Sequence, residues 1–150
     1  MNEKTETPVG FLLHAQEFFS AADLVLSKCE GISLPAYFLL GRSIELSLKA
    51  YLLQHGIPIS ELRKKKYGHD LHALLNEAMN RGLLDIVKLD SQEIGVIDLL
   101  SYDYMEKRLE YRITGGMYAL PLIDITHDVT RRLAYDLEEV MSDAANESCT

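Results

Sequence analysis

A chain of 150 residues is long enough for one domain with its own hydrophobic core, needing neither metal nor disulfide staples. Hydrophobic residues make up 47% and charged residues 25%, at a net charge of −8. This globular composition excludes a disordered chain and argues against non-specific nucleic-acid binding over the whole surface.

Cys29 and Cys149 lie too far apart in a polar context to build a disulfide framework or a metal knuckle, so a reducing, cytoplasmic setting is expected. The polar N-terminus is unlike a signal peptide, and no apolar run approaches the ~20 residues of a bilayer span, so no membrane contact is expected. Thr7-Pro8 opens a first helix, carrying Leu12, Leu13, Phe18, Phe19, Ala22, Leu24, Val25 and Leu26 at helical spacing, and Gly31 ends it. Ser33-Leu34-Pro35 starts a second helix over residues 35–55, stopped by Gly56-Ile57-Pro58. It is apolar on nearly every side, the pattern of a central helix packed all round.

A basic, flexible loop is predicted over residues 57–68. Gly68-His69-Asp70-Leu71 then begins a third helix, capped by Asp70, with Leu71, Leu74, Leu75 and Ala78 inward and Gly82 at its end. Asp90-Ser91-Gln92-Glu93 has the spacing of a capping box for a fourth helix, which turns Ile94, Ile97, Leu100 and Tyr104 inward. Alternation in Leu109-Glu110-Tyr111-Arg112-Ile113, followed by Thr114-Gly115-Gly116, predicts an extended excursion over residues 109–119. Helical spacing returns over 121–141, with Leu122, Ile125, Val129, Leu133, Leu137 and Val140 on one side. Residues 1–6 and 144–150 are polar and expected to fray. The reading is a single all-α domain over residues 1–150, an up-down bundle of about five helices with a short extended excursion before the last.

Three groups of residues stand out. Arg42, Glu45 and Lys49 form a polar stripe on the greasy second helix, related by i,i+3 and i,i+4 steps. Buried ionisable groups are costly unless paired or facing an opening, so the stripe is either an internal network bridged by Glu45 or the wall of a cleft or subunit interface. Arg63-Lys64-Lys65-Lys66 ahead of Gly68-His69-Asp70 reads as an anion site at a helix start or as a solvated basic loop with a cap. As metal ligands, His69, Asp70 and His72 are set aside, because the histidines lack the i,i+4 pairing of helical zinc motifs and no further ligand is evident. Tyr102, Tyr104, Tyr111, Arg112 and Tyr118 suit either base stacking or packing at the open edge of the bundle or at a dimer seam, with packing favoured. His127-Asp128 is expected on the solvent side of the last helix. No Gly-rich phosphate loop, GxSxG or HExxH is present, and no cofactor is expected.

Gly41-Arg42-Ser43-Ile44-Glu45-Leu46-Ser47-Leu48-Lys49-Ala50-Tyr51-Leu52, followed after a basic loop by Gly68-His69-Asp70-Leu71, resembles the HEPN superfamily of small helical domains. Lys107-Arg108-Leu109-Glu110-Tyr111-Arg112 is similar to the basic-aromatic stretch that many members carry before their last helix. The resemblance implies a bundle of four or five helices that pairs into homodimers. Many such proteins are metal-independent RNases of toxin–antitoxin or phage-defence systems, with an Arg-x4–6-His motif at the dimer cleft; others bind nucleotides or partner a nucleotidyltransferase. Here Arg108 and Arg112 have no such histidine after them, and only Arg63 and His69 meet the spacing, in an earlier loop.

The expectation is therefore a HEPN-like binding or interaction module, a homodimer that contacts a nucleotide, RNA or a partner protein such as an antitoxin. Its expected site joins Arg42, Glu45, Lys49, His69, Asp70 and Arg112. Lys49 and Arg112 would meet phosphate, Glu45 would orient them, and His69-Asp70 would fix the third helix against the second. Two alternatives stay open: a metal-independent endoribonuclease using His69 with Arg63 or Arg112, and a non-catalytic structural partner of a nucleotidyltransferase.

Overall fold

Four of the described α-helices start at a side-chain oxygen that caps their first turn, while the short third helix and the last have no side-chain cap. In the computed structural model, which describes residues 6–64, 67–111 and 116–141, Thr7 accepts from the Gly10 amide at the start of α1 (Pro8–Lys28). Ser33 does the same for α2 (Leu34–Gln54), and each helix carries a proline in its first turn, where no amide partner is lost. Asp70 caps α4 (Leu71–Asn80) through the Ala73 amide, and Asp90 and Glu93 close a reciprocal capping box on α5 (Ser91–Met105). The last long helix is α6 (Ile123–Asp136), followed by a single 3-10 turn over Glu138–Val140. No strand occurs among the described residues, and the architecture is an all-α bundle.

Its axis is α2. This helix packs against α1, α4, α5 and α6, most extensively against α1. Leu40, Ile44, Leu48 and Leu52 are wholly buried along it, and each such side chain contributes about 1.5–3 kcal/mol of burial free energy. Leu71, Leu74, Leu75 and Ala78 of α4, Ile97 and Leu100 of α5, and Val129 and Leu133 of α6 close one core with Ile44, Leu48 and Leu52, while Leu40 packs with Phe19 and Ala22 of α1. Helical periodicity anticipated these faces.

Five expectations need correction. The described residues of the 57–68 segment are not a free loop. They hold a one-turn helix, α3 (Ile59–Leu62), and Ile57, Ile59, Leu62 and Tyr67 are all buried. Gly56 makes this turn by adopting φ +91°, a left-handed conformation open to glycine at little cost. The excursion after α5 does not begin extended at residue 109. Lys107 takes φ +60°, Arg108 donates its amide to the Asp103 carbonyl, and the chain turns through Leu109 before running irregularly over residues 116–122. Leu122, placed inward by the periodicity, lies at the N-cap of α6 and is exposed. Glu6, grouped with the fraying N-terminus, forms an ion pair with Arg63.

The fifth concerns α1. By length and composition it is apolar enough to cross a bilayer. Leu13 and Leu24, which helical spacing grouped with its buried face, project outward, while Leu12, Ala15, Phe19 and Ala22 pack into the bundle. The apolar content of α1 thus spreads around the helix and exceeds what its buried face consumes.

Candidate functional site

Glu45 sits at the middle of α2 with 1% of its side chain exposed, a position where an unpartnered carboxylate would be untenable. It has four partners. Lys49 Nζ, one turn along, donates to Oε2 at 2.7 Å. His69 Nδ1, from the segment leading into α4, reaches Oε1 at 2.8 Å, and the Tyr104 hydroxyl, from the end of α5, reaches the same oxygen at 2.6 Å. Arg42 Nη1 stands 3.4 Å from both oxygens, a long contact that adds charge more than a directed bond. A carboxylate only accepts, so the His69 ring carries its proton on Nδ1.

These contacts decide the charge state. Burial pushes the Glu45 carboxyl upward, but the Lys49 ammonium and the hydrogen bonds from His69, Lys49 and Tyr104 outweigh it and hold the group below its ordinary value. Burial and the adjacent Glu45 charge push the Tyr104 hydroxyl well above its ordinary value, so it remains a donor. Three elements, α2, the α4 approach and α5, are thereby tied to one ionised oxygen pair.

Tyr104 reaches Glu45 because of Gly41. A Cβ at that position would lie 2.5 Å from the Tyr104 ring, so only glycine lets the ring lie against α2 one turn before the carboxylate. Periodicity placed Tyr104 inward as core and did not identify its role at the hub. Two features of the sequence carry the signal: a mid-helix glycine without a turn, and a buried phenol whose hydroxyl requires a partner.

On one side of the hub, α1, α2 and α3 enclose a cleft of about 450 Å³. Arg42, Lys49 and Arg63 bring three cations to it against the carboxylates of Glu45 and Glu6, in a molecule whose net charge is −8. Phe11, Leu46, Ile59 and Leu62 supply an apolar wall. Lys49 donates to Glu45 and also lines the cleft with Arg42 and Glu45, so the stripe is both an internal network and a cleft wall.

Of the expected site residues, Arg42, Glu45, Lys49 and His69 come together. Asp70 does not join the carboxylate; it caps α4 and so sets the approach of His69. Arg112, Lys65, Lys66 and Cys149 lie outside the described residues. Arg63 pairs with Glu6 at the cleft, while His69 is held by Glu45, so the two are engaged by different carboxylates. Of the tyrosine group, Tyr102 and Tyr111 do not pack against their own bundle and project outward, at 68% and 69% exposure. Tyr118 lies under Arg108, whose guanidinium is 5.4 Å from the ring centre. Arg108 also pairs with buried Asp103 at 3.2 Å, in an orientation that makes an ion pair without a hydrogen bond to that oxygen. The other Asp103 oxygen accepts from the Ala119 amide at 2.7 Å, tying the excursion back to α5. His72 bonds Asp98 at 2.7 Å and His127 bonds Asp23 at 2.8 Å, both toward solvent. Among the described residues no cluster of metal-binding side chains forms.

Fold and site together define an all-α bundle organised round a buried carboxylate, with a cationic cleft beside it. No protein-family model, curated protein or solved structure matches this chain.

Proposed function

We propose that this protein is a HEPN-like binding module whose α1–α2–α3 cleft takes a phosphate-bearing ligand of the nucleotide or RNA class. The observation that carries this reading is the convergence of Arg42, Lys49 and Arg63 on one cleft of a strongly acidic molecule. Cations set in a partly enclosed, partly apolar wall attract phosphate more strongly than exposed ones, because water screens them less. The apolar wall of Phe11, Leu46, Ile59 and Leu62 offers a surface for a base, and the volume is that of a small-molecule site.

A second reading, a metal-independent endoribonuclease, is favoured by the bond from His69 to Glu45. A carboxylate that fixes the Nδ1 proton leaves Nε2 as the basic nitrogen, the arrangement that orients a histidine for proton transfer. One set of experiments separates the two. With EDTA present, a fluorescent short RNA and a labelled adenine nucleotide are titrated with the wild type and with a chain carrying Arg42→Gln and Lys49→Gln. A binding module leaves the RNA intact and loses at least about tenfold in affinity in the variant, the loss of one charge-assisted contact. Unchanged affinity overturns the cleft assignment. RNA cleavage that disappears in His69→Ala replaces the module with the enzyme.

A further inference from the structure

The cleft already contains an anion of the chain's own making. Glu6 immediately precedes the Thr7 cap of α1, and its carboxylate pairs with Arg63 while both residues line the opening. The Glu6 side chain is only 9% exposed, whereas Arg63 is 52% exposed. A carboxylate that gives up most of its hydration beside a half-solvated guanidinium lies inside the site, where a surface pair would leave both groups in water.

We propose that Glu6 is an internal strap: it occupies the anion seat of the cleft at Arg63 in the free protein and is displaced by the phosphate of a bound ligand. This rests on the phosphate-binding reading above and adds that the site is self-occupied. Thr7 is in extended conformation and its own hydroxyl secures the Gly10 amide, so the α1 cap does not depend on the Glu6 side chain. Glu6 offers Arg63 a single negative charge, which a doubly charged phosphate beside Arg63, Arg42 and Lys49 exceeds. A strap of this sort lowers the apparent affinity by the fraction of molecules in which the seat is already filled, and selects for ligands that bring more negative charge than one carboxylate.

The test is titration of the full chain with adenosine monophosphate in four forms: wild type, Glu6→Gln, Arg63→Gln, and the double variant. A strap gives about tenfold tighter binding in E6Q than in the wild type, and no gain from E6Q once Arg63 is already glutamine, because nothing remains for Glu6 to cover. Equal affinity of wild type and E6Q overturns the strap and leaves the phosphate cleft standing. A gain that persists in the Arg63→Gln background also overturns it, since Glu6 then acts only as a diffuse negative charge. Weaker binding in E6Q makes Glu6 a ligand contact instead of a competitor. Binding by none of the four overturns the phosphate cleft and the strap together.

Discussion

Glu45 concentrates the molecule's chemistry in one side chain. A carboxylate this deep is tolerable only because Lys49, His69, Tyr104 and Arg42 surround it, and they hold it ionised. A carboxyl whose folded-state value is depressed contributes stability that is fully present above its ordinary value of 4.5 and is lost as pH falls through the folded-state value. Urea unfolding from pH 7 down to pH 3 should therefore show a decline below about 4.5 that is shallower in Glu45→Gln. At pH 7 that variant should be less stable by about 3 kcal/mol, the low end for breaking a buried ion pair, since Lys49 keeps some contact with solvent. An identical acid limb in both proteins would remove Glu45 as the hub. The stripe itself was legible in the sequence, because three charges at i,i+3 and i,i+4 on a greasy helix have no bland surface to occupy. The Tyr104 contact was not legible, and His69 was joined to the stripe by the family resemblance, not by spacing. They arrive from 59 and 24 residues away, and local spacing carries no information about such a meeting.

At the scale of elements, α2 and α5 touch through a glycine. Gly41→Ala would gain about 1 kcal/mol of helix propensity in isolation, but the added methyl collides with the Tyr104 ring and overpacking costs about 1–3 kcal/mol. The expected outcome is a net loss of stability in urea, with weakened contacts between the Tyr104 ring and α2 in NOE spectra. A variant more stable than the wild type would show that the ring is not pressed against the helix. Caps and inward faces were readable beforehand because Thr7, Ser33, Asp70 and the Asp90–Glu93 pair act within a few residues of themselves. The segment over residues 57–68 was misread for the opposite reason. Its apolar residues, Ile57, Ile59, Leu62 and Tyr67, are too few for a period to emerge, and its run of Arg63-Lys64-Lys65-Lys66 dominates the composition. What buries them is the neighbouring bundle, which supplies the rest of the core.

The whole molecule sets a locally cationic cleft into a globally acidic body. That combination discourages indiscriminate attraction to polyanions, and under the proposed function the α1–α2–α3 cleft is where phosphate would bind. The bundle does this economically: α2 supplies Arg42 and Lys49, α1 begins at the cleft with Glu6 and Thr7, and the short α3 places Arg63 opposite. Phosphate binding there should weaken with added salt, less steeply than on an open surface because the cations are partly enclosed. The most direct test is a backbone NMR titration of the full chain with adenosine monophosphate. A phosphate cleft predicts chemical-shift changes confined to residues 6–14, 42–49 and 59–63. An unchanged spectrum, or changes confined to the exposed face of α5 around Leu99 and Tyr102, would contradict it.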